Sequence, residues 1–336
     1  LRHDRWIGGQ RTVVKTPLRA LEPALQHYGV TASAASEVYS GFNLHFRVTT
    51  PDGDKHLIIF RPQAGKPPRE FQFDLWQYIL AQGFTLLPQP VKTVGGQDYT
   101  GTSLGTVALT EWVSGENGSL HDDWSGPMIC KAAGVLADLH GAARHFRPAP
   151  AEADRLAPLY LPADAWVDRV DEIVADFGDR TAADAELMDA VRHRVDETLA
   201  RFDAAAYASA LASGTTVVHG DYRPGNLVIN DSEIAAVVDL DAAFWESRVY
   251  DLAYAAFQFG GKEGVYPQPS AKPGADFVRC YCRRWPLTEA EQALLPFFLR
   301  QVVLKRLLVG RDAEPRLALL DQLDSGLEDA LVRAAA

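Results

Sequence analysis

One short segment constrains the fold of this chain more than any other. Residues Val217 to Asp241 read VVHGDYRPGNLVINDSEIAAVVDLD. Apolar runs alternate with turn-forming residues, which predicts a strand, a tight turn at Pro224 and Gly225, and a second strand over Leu227 to Ile229. The apolar run from Ile234 to Val238 predicts one further strand. Polar residues should therefore emerge where these short strands end.

Three polar residues of this segment are spaced like metal ligands. Asp221 lies five positions before Asn226, and Asp239 follows thirteen positions later, at the end of the last apolar run. We expect Asp221 and Asn226 to point into one cleft and Asp239 to enter it from a neighbouring strand. Carboxylate and amide oxygens suit Mg²⁺, which is commonly shared with substrate phosphates. The set predicts a site for ATP and Mg²⁺; the plainer alternative is that these side chains only cap backbone groups near turns.

Two further residues of this region are interpreted as supports for the loop. His219 precedes the first aspartate by two positions and is expected to be a buried, hydrogen-bonded residue. Asp251 precedes a helical pattern, so it should serve as a cap or scaffold.

The spacing Asp-x-x-x-x-Asn followed by a later Asp is that of a kinase catalytic loop. With His-Gly-Asp at residues 219–221 and Tyr-Asp-Leu-Ala at residues 250–253, the segment resembles the aminoglycoside phosphotransferase and choline kinase-like superfamily. The resemblance implies an α+β, protein-kinase-like fold of two lobes, with a small antiparallel sheet in the first and mainly helices in the second. It also implies that Asp221 orients and deprotonates the hydroxyl of a small molecule, while Asn226 and Asp239 hold the Mg²⁺ of ATP.

The rest of the chain fits this order of elements. Apolar periodicity and turn residues predict a helix, three strands, a helix and a further strand, at residues 17–30, 35–39, 43–50, 56–61, 69–82 and 107–112, with a hairpin turn at residues 52–53. Helical patterns then dominate: one from residue 126, two over residues 161–212, and three from residue 271 to the end. A segment rich in Gly, Pro and Lys, residues 259–274, is the best candidate for a mobile loop.

We place the lobe boundary near Val113, which gives a nucleotide-binding lobe over residues 1–113 and a lobe with the catalytic loop and acceptor site over residues 114–336. The resemblance supports this, since residues 110–116 look like the family's hinge. In that hinge, backbone groups near Glu111 and Val113 would meet the edge of the adenine.

The sequence signals for phosphate-binding residues are weaker than those for the metal ligands. A kinase small lobe uses a Gly-rich turn, a Lys on the third strand and an acidic partner for that Lys. The turn after Ser40 has one glycine, so Ser40 and the loop amides are the candidate phosphate donors, or the turn has no ligand role. Residues 57–61 contain no Lys, which leaves Arg61 as the candidate cation, or as a surface residue.

Other charges near these elements leave two choices open. Glu70 or Asp74 on the predicted helix would be the acidic partner of Arg61. Arg223, two positions after Asp221, would stabilise charge on the transferring phosphoryl group, or form a salt bridge within the loop.

Composition limits the class of protein. A chain of 336 residues is long enough for two domains, and its net charge of −11 disfavours a nucleic-acid binder, which usually carries a basic surface. The start LRHDRW lacks the apolar stretch of a signal peptide and no apolar run is long enough to cross a membrane, so we expect a cytoplasmic protein. The odd number of cysteines, Cys130, Cys280 and Cys282, predicts reduced thiols.

These observations predict a phosphotransferase that uses ATP and Mg²⁺ and acts on a small-molecule hydroxyl acceptor. A non-catalytic nucleotide- or partner-binding protein with the same cleft is the main alternative, and a protein kinase is disfavoured because no extended activation segment follows Asp239. The acceptor stays open among aminoglycosides, choline, homoserine and sugar-like compounds. Asp241, Glu246 and Glu263 are candidates to face a cationic acceptor, and the sequence does not determine the oligomeric state.

Overall fold

The chain divides into two compact units. The computed structural model describes residues 18–40, 43–62, 64–118, 124, 126–147, 155–214, 217–259, 271–310 and 313–336. Described residues of Leu1–Gln63 and Leu86–Gly115 form the first unit, and those of Ala64–Thr85 and Glu116–Ala336 form the second. This grouping assigns residues 64–85 to the second unit, whereas the sequence-based division at Val113 included them in the first lobe; the lobe division itself stays a prediction.

The first unit is one helix on an antiparallel sheet. Its elements are α1 (Leu18–Gln26), β1 (Ala34–Ser40), β2 (Leu44–Thr50), β3 (Gly53–Phe60), β4 (Pro90–Val91), β5 (Tyr99–Thr102) and β6 (Gly105–Glu111). The strand order is β1-β2-β3-β6-β4, with β5 also paired to β6. The apolar side of α1 covers the sheet, where Leu21 and Leu25 are buried against Phe46 and Leu57. Tyr28 donates a hydrogen bond to the Val107 carbonyl (2.9 Å), which fixes the end of the helix to β6.

The second unit is mainly helical. Its helices are α2 (Arg69–Ala81), α3 (Gly126–Ala143), α4 (Ala163–Thr181), α5 (Ala185–Leu199), α6 (Ala204–Ser213), α7 (Val249–Phe259), α8 (Ala271–Arg284), α9 (Glu289–Val309), α10 (Glu314–Gln322) and α11 (Glu328–Ala335). Its short strands are β7 (Glu116–Asn117), β8 (Val217–Val218), β9 (Leu227–Asn230), β10 (Glu233–Val237) and β11 (Phe244–Trp245), in sheets ordered β10-β9-β7 and β11-β8. The predicted α+β class is thus confirmed.

Helix α9 is the longest of the described helices, with buried positions around its whole circumference. Thr288 and Glu291 form a capping box at its start. Farther along, the guanidinium of Arg300 is 1% exposed and pairs with Asp324 and with Glu328, the latter at 2.7 Å. Buried charge of this kind needs such partners, so the last helices of the chain are fixed to α9.

The number of helices differs from the prediction. Residues 161–212 contain three helices rather than two, because Asp184 and Asp203 each accept backbone N–H bonds and start a new helix. The described residues from Ala271 onward form four helices rather than three, since Gly326, at φ 108°, breaks the last pattern within a π-helical turn, Leu323–Leu327. Most of the expected mobile loop, residues 260–270, lies outside the described residues.

The prediction of three reduced thiols is wrong for two of them. Cys130 on α3 and Cys280 on α8 form a disulfide, with their Cα atoms 5.1 Å apart. Only Cys282 is a free thiol, and burial raises its pKa to about 11. None of the described helices is both long and apolar enough to cross a bilayer.

Candidate active site

The segment from Val217 to Asp241 folds as the sequence predicts. Strand β8 ends at Val218, a 3₁₀ turn spans Pro224–Asn226, and β9 and β10 form an antiparallel hairpin. Asp239 follows β10 with φ 69° and ψ 60°, a left-handed conformation that Asp tolerates better than most residues. The backbone therefore turns sharply at the position of the predicted metal ligand.

Gly220 is required by close packing in this loop. Its φ is 77°, and a Cβ atom placed there would lie 2.1 Å from the carbonyl oxygen of Ala242. No side chain fits so short a gap to a backbone atom, which explains the glycine between His219 and Asp221.

A buried carboxylate, that of Asp251, holds the backbone of the loop at residues 219–220. Asp251 is fully buried at the start of α7 and accepts the backbone N–H groups of His219 (2.6 Å) and Gly220 (2.9 Å). It also contacts Nε2 of His140 on α3 at 3.1 Å. His219 in turn bonds the Val238 carbonyl through Nε2 (3.1 Å). Both residues act on the shape of the loop rather than at its accessible face.

The carboxylate of Asp221 accepts hydrogen bonds from four side chains. Tyr254 on α7 and Nη2 of Arg306 on α9, at 2.9 Å, donate to Oδ1. Nε of Arg223 and Nδ2 of Asn226 donate to Oδ2, each at 3.1 Å. The Asp221 side chain nevertheless keeps 19% of its surface accessible, so its orientation is fixed while solvent still reaches it.

These donors keep Asp221 ionised. Burial alone would raise the pKa of this carboxyl group, but the guanidiniums of Arg306 and Arg223 outweigh it and lower the pKa to about 2. The salt bridge within the loop that the sequence offered for Arg223 is therefore present. Tyr254 and Arg306 were not found from the sequence. Tyr254 follows Asp251 by three positions, which puts both on one face of α7, but Arg306 lies in an apolar helix pattern with no motif.

Asp239 has the opposite electrostatic character. Asp239 is exposed to solvent, yet its pKa is raised to about 6. The largest cause is desolvation of its carboxylate by the surrounding protein, and the negative charges of Asp241 and Asp221 come next. Lys66 opposes this shift and so lies within electrostatic range. A carboxylate crowded by like charges is a natural place for a cation.

Asp241 is bound to the start of α2. Lys66 Nζ lies 3.2 Å from its Oδ2, and Nη1 of Arg69 lies 2.8 Å from its Oδ1. Gln72 donates to the Asp241 backbone carbonyl at 2.9 Å. All of these residues belong to the second unit. The expectation that Asp241 faces a cationic acceptor does not hold, because the chain supplies its cations.

Glu246 does not face an acceptor either, since it is fully buried. Burial raises its pKa to about 7, and the Lys305 ammonium opposes that rise. Glu263 lies outside the described residues.

The other predicted site residues lie in the first unit. Ser40 ends β1, and Arg61 follows β3 with an exposed side chain and a backbone N–H bonded to Asn43 Oδ1 (3.2 Å). Val113 follows β6 and is half-buried, and Glu111 ends β6. Their nucleotide-binding roles stay predictions, as do the roles of Asp221, Arg223, Asn226 and Asp239.

The third strand does contain a lysine, because it begins three residues earlier than predicted. Lys55 lies in β3 and contacts both carboxylate oxygens of Glu111, at 2.9 and 2.7 Å. The candidate partners Glu70 and Asp74 are exposed on α2, in the second unit.

The donor atoms fit a magnesium ion that is shared with phosphates. Asn226 turns its amide nitrogen to Asp221, which leaves Oδ1 as the atom that can ligate a cation, and Asp239 offers an accessible carboxylate. Within the described part of the chain, no group of three or more His, Cys, Asp or Glu side chains could hold a metal by itself. Mg²⁺ in phosphoryl-transfer sites commonly takes only one or two protein ligands, so this donor set suffices.

Comparisons with known proteins identify the family and the fold of the chain. Residues 39–295 match the family model described as the phosphotransferase enzyme family. A homoserine kinase of Phenylobacterium zucineum is 31% identical over 272 residues, which cover 78% of this chain and 74% of that relative.

Two solved structures share the fold. A microcompartment-associated aminopropanol kinase has a TM-score of 0.66 at 17% identity, covering 95% of this chain and 100% of its own. An amicoumacin kinase in complex with AMP-PNP and Ca²⁺ has a TM-score of 0.62 at 17% identity, covering 94% and 93%. The non-catalytic alternative finds no support in these comparisons. The chain belongs to the phosphotransferase enzyme family, and it is a small-molecule kinase with a protein-kinase-like fold.

Proposed function

We propose that this kinase uses ATP and Mg²⁺ and transfers the γ-phosphate of ATP to a hydroxyl group of a small molecule. The hydroxyl group would bind at Asp221. The observation that carries the proposal is an accessible, permanently ionised carboxylate that four donors orient, with the exposed carboxylate of Asp239 nearby. The AMP-PNP and Ca²⁺ in the amicoumacin kinase structure support a nucleotide and a divalent cation as the co-substrate pair. A cytoplasmic location, where ATP is abundant, belongs to the same proposal.

Asp221 acts mainly by orientation. Its pKa of about 2 makes it a weak base, so it accepts a hydrogen bond from the acceptor hydroxyl without removing the proton in the ground state. The hydroxyl oxygen then bonds to the γ-phosphorus as the bond to the β-phosphate oxygen breaks and ADP leaves. Asp221 takes the proton as the new bond forms, which suits the loose transition state of phosphoryl transfer.

The neighbouring side chains hold charge during this step. Asn226 Oδ1 and the Asp239 carboxylate would ligate Mg²⁺, which when bound neutralises phosphate charge and aligns the reacting oxygens. Arg223 contacts Oδ2 of Asp221 at 3.1 Å, within reach of a group that reacts at that carboxylate. Its guanidinium would stabilise the negative charge of the transferring phosphoryl group.

The acceptor is proposed to be a hydroxyl-bearing amino compound, with L-homoserine as the first to test. The support is the set of homoserine kinases to which this chain is 25–31% identical over most of its length. Choline, aminoglycosides and sugars complete the panel, because the described residues do not discriminate among them.

The test compares Asp221→Asn with the wild-type protein. ATP consumption is measured with each acceptor of the panel, and ATP binding is measured by thermal shift with Mg²⁺ present. We expect turnover to fall by at least about 1,000-fold, because general acid–base catalysis and positioning are both lost, with ATP binding largely kept. Asp171→Asn removes a carboxylate from an exposed ion pair and is the matched control. Equal turnover in Asp221→Asn would refute the assignment.

A further inference from the structure

The two cations bound to Asp241 lie at the start of α2, next to the turn that carries Asp239. Lys66 and Arg69 flank the two prolines that precede α2, and both side chains are largely buried, with 11% and 17% of their surface exposed. They meet at one carboxylate, two residues after the exposed Asp239. The start of α2 thus delivers two positive charges to the turn that carries the predicted metal ligand.

Charge in this region favours a polyphosphate. The described cluster contains three carboxylates, Asp221, Asp239 and Asp241. Four cations of the same unit contact or electrostatically influence them: Lys66, Arg69, Arg223 and Arg306. Arg223 and Arg306 are directed at Asp221, where the hydroxyl is proposed to react. Lys66 and Arg69 instead bind Asp241, and Lys66 also lies within electrostatic range of Asp239, where the phosphates that share its cation would lie.

The positions of these two side chains are well fixed. Arg69 Nη1 also contacts Oε1 of Gln72 at 2.6 Å, and Gln72 holds the Asp241 carbonyl. Helix α2 and the turn at Asp241 therefore form one hydrogen-bonded assembly. An oriented guanidinium loses little freedom when it binds an anion, which makes Arg69 suited to phosphate oxygens.

We propose that Lys66 and Arg69 bind the phosphates of the nucleotide and so perform the role that kinases usually give to a lysine of the third strand. This inference rests on the proposed function. Arg61, the candidate suggested by the sequence, has an exposed side chain, and Lys55 is bound to Glu111. Asp241 pairs with the two cations while no phosphate is bound and would compete with phosphate oxygens for them, whereas Gln72 orients Arg69 independently of this pair.

The experiment measures affinity for ADP and for adenosine without Mg²⁺, by calorimetry and competition. We expect Lys66→Met and Arg69→Met each to weaken ADP binding by about 10- to 100-fold, the range for one charge-assisted hydrogen bond. Adenosine affinity should stay unchanged, because it has no phosphate. Lys131→Met is the matched control, since it removes a lysine from an exposed ion pair with Glu233.

Asp241→Asn separates phosphate binding from a purely structural role. If the ion pairs only anchored α2, this variant would weaken ADP binding as much as the loss of either cation. If the cations bind phosphate, ADP affinity is kept or increased, because a competing carboxylate is gone. Thermal unfolding checks that each variant folds, and Lys66→Met decides the question if Arg69→Met unfolds.

Two outcomes overturn the inference: ADP affinity in Lys66→Met within twofold of wild type, or equal losses for ADP and adenosine. Failure of the proposed function has a different signature, in which the wild-type protein binds neither ATP nor ADP. Arg61→Met, measured alongside, shows whether the sequence-based candidate contributes to the same affinity.

Discussion

The contact between Arg306 and Asp221 gives the sharpest prediction. Removing the guanidinium in Arg306→Met should release Asp221 from the shift that lowers its pKa from 3.8 to about 2. The lowering of this pKa from 3.8 to about 2 corresponds to about 2.5 kcal/mol between the two protonation states. Arg223 shares this effect and 31% of the Arg306 side chain is exposed, so we assign about 1–2 kcal/mol to the Arg306 pair.

A double-mutant cycle of Arg306→Met and Asp221→Asn measures this energy through urea unfolding at pH 7. The sign follows from the lowered pKa in the folded state: the stabilisation is fully present above the ordinary pKa near 4 and is lost as the pH falls towards 2. The coupling should therefore decline when the cycle is repeated at pH 3. In kinetic assays at saturating Mg²⁺, the acid limb of the rate profile should move to higher pH in Arg306→Met.

An exposed pair provides the control for this cycle. Arg284 and Asp138 lie 2.8 Å apart with 63% and 46% of their side chains exposed, so their coupling should stay below about 0.5 kcal/mol. A coupling between Arg306 and Asp221 no larger than that of the exposed pair would refute the electrostatic account of the ionised carboxylate.

Two further predictions concern stability. Gly220→Ala should lower the free energy of unfolding by about 2–4 kcal/mol, because the added Cβ meets the Ala242 carbonyl at a positive φ. The control is Gly134→Ala, whose added Cβ meets nothing within 4 Å and should leave the free energy of unfolding unchanged or slightly higher. Equal urea midpoints for the two variants would contradict the packing argument. Cys130→Ser should lower the free energy of unfolding by about 2–4 kcal/mol by removing the crosslink to Cys280, and a reducing agent should destabilise the wild type but not the variant.

Local sequence signals predicted the elements that carry the motif. The turn at Pro224, the hairpin of β9 and β10 and the position of Asp239 all follow from turn residues and short apolar runs. The missed helix boundaries had signals as well, since Asp184 and Asp203 are N-cap residues whose role a periodicity argument overlooks.

Long-range partners could not be predicted in this way. Arg306 is 85 residues from Asp221, and Cys130 is 150 residues from Cys280, so no spacing rule links them. Asp241 was judged by its charge alone, and its cations lie at the start of a helix more than 170 residues earlier. Such contacts depend on which helices pack together, which one sequence does not reveal.

Helix α9 connects two parts of the molecule that differ in purpose. Arg300 binds the last helices through Glu328, and Arg306, about 9 Å farther along the axis, binds Asp221. A displacement of α9 would therefore change the contacts of both Arg300 and Arg306. Substitutions in the chain's final turns are consequently a means of tuning the proposed reactive carboxylate without altering any motif residue, and the loss of Glu328 would leave the buried guanidinium of Arg300 with fewer carboxylate partners.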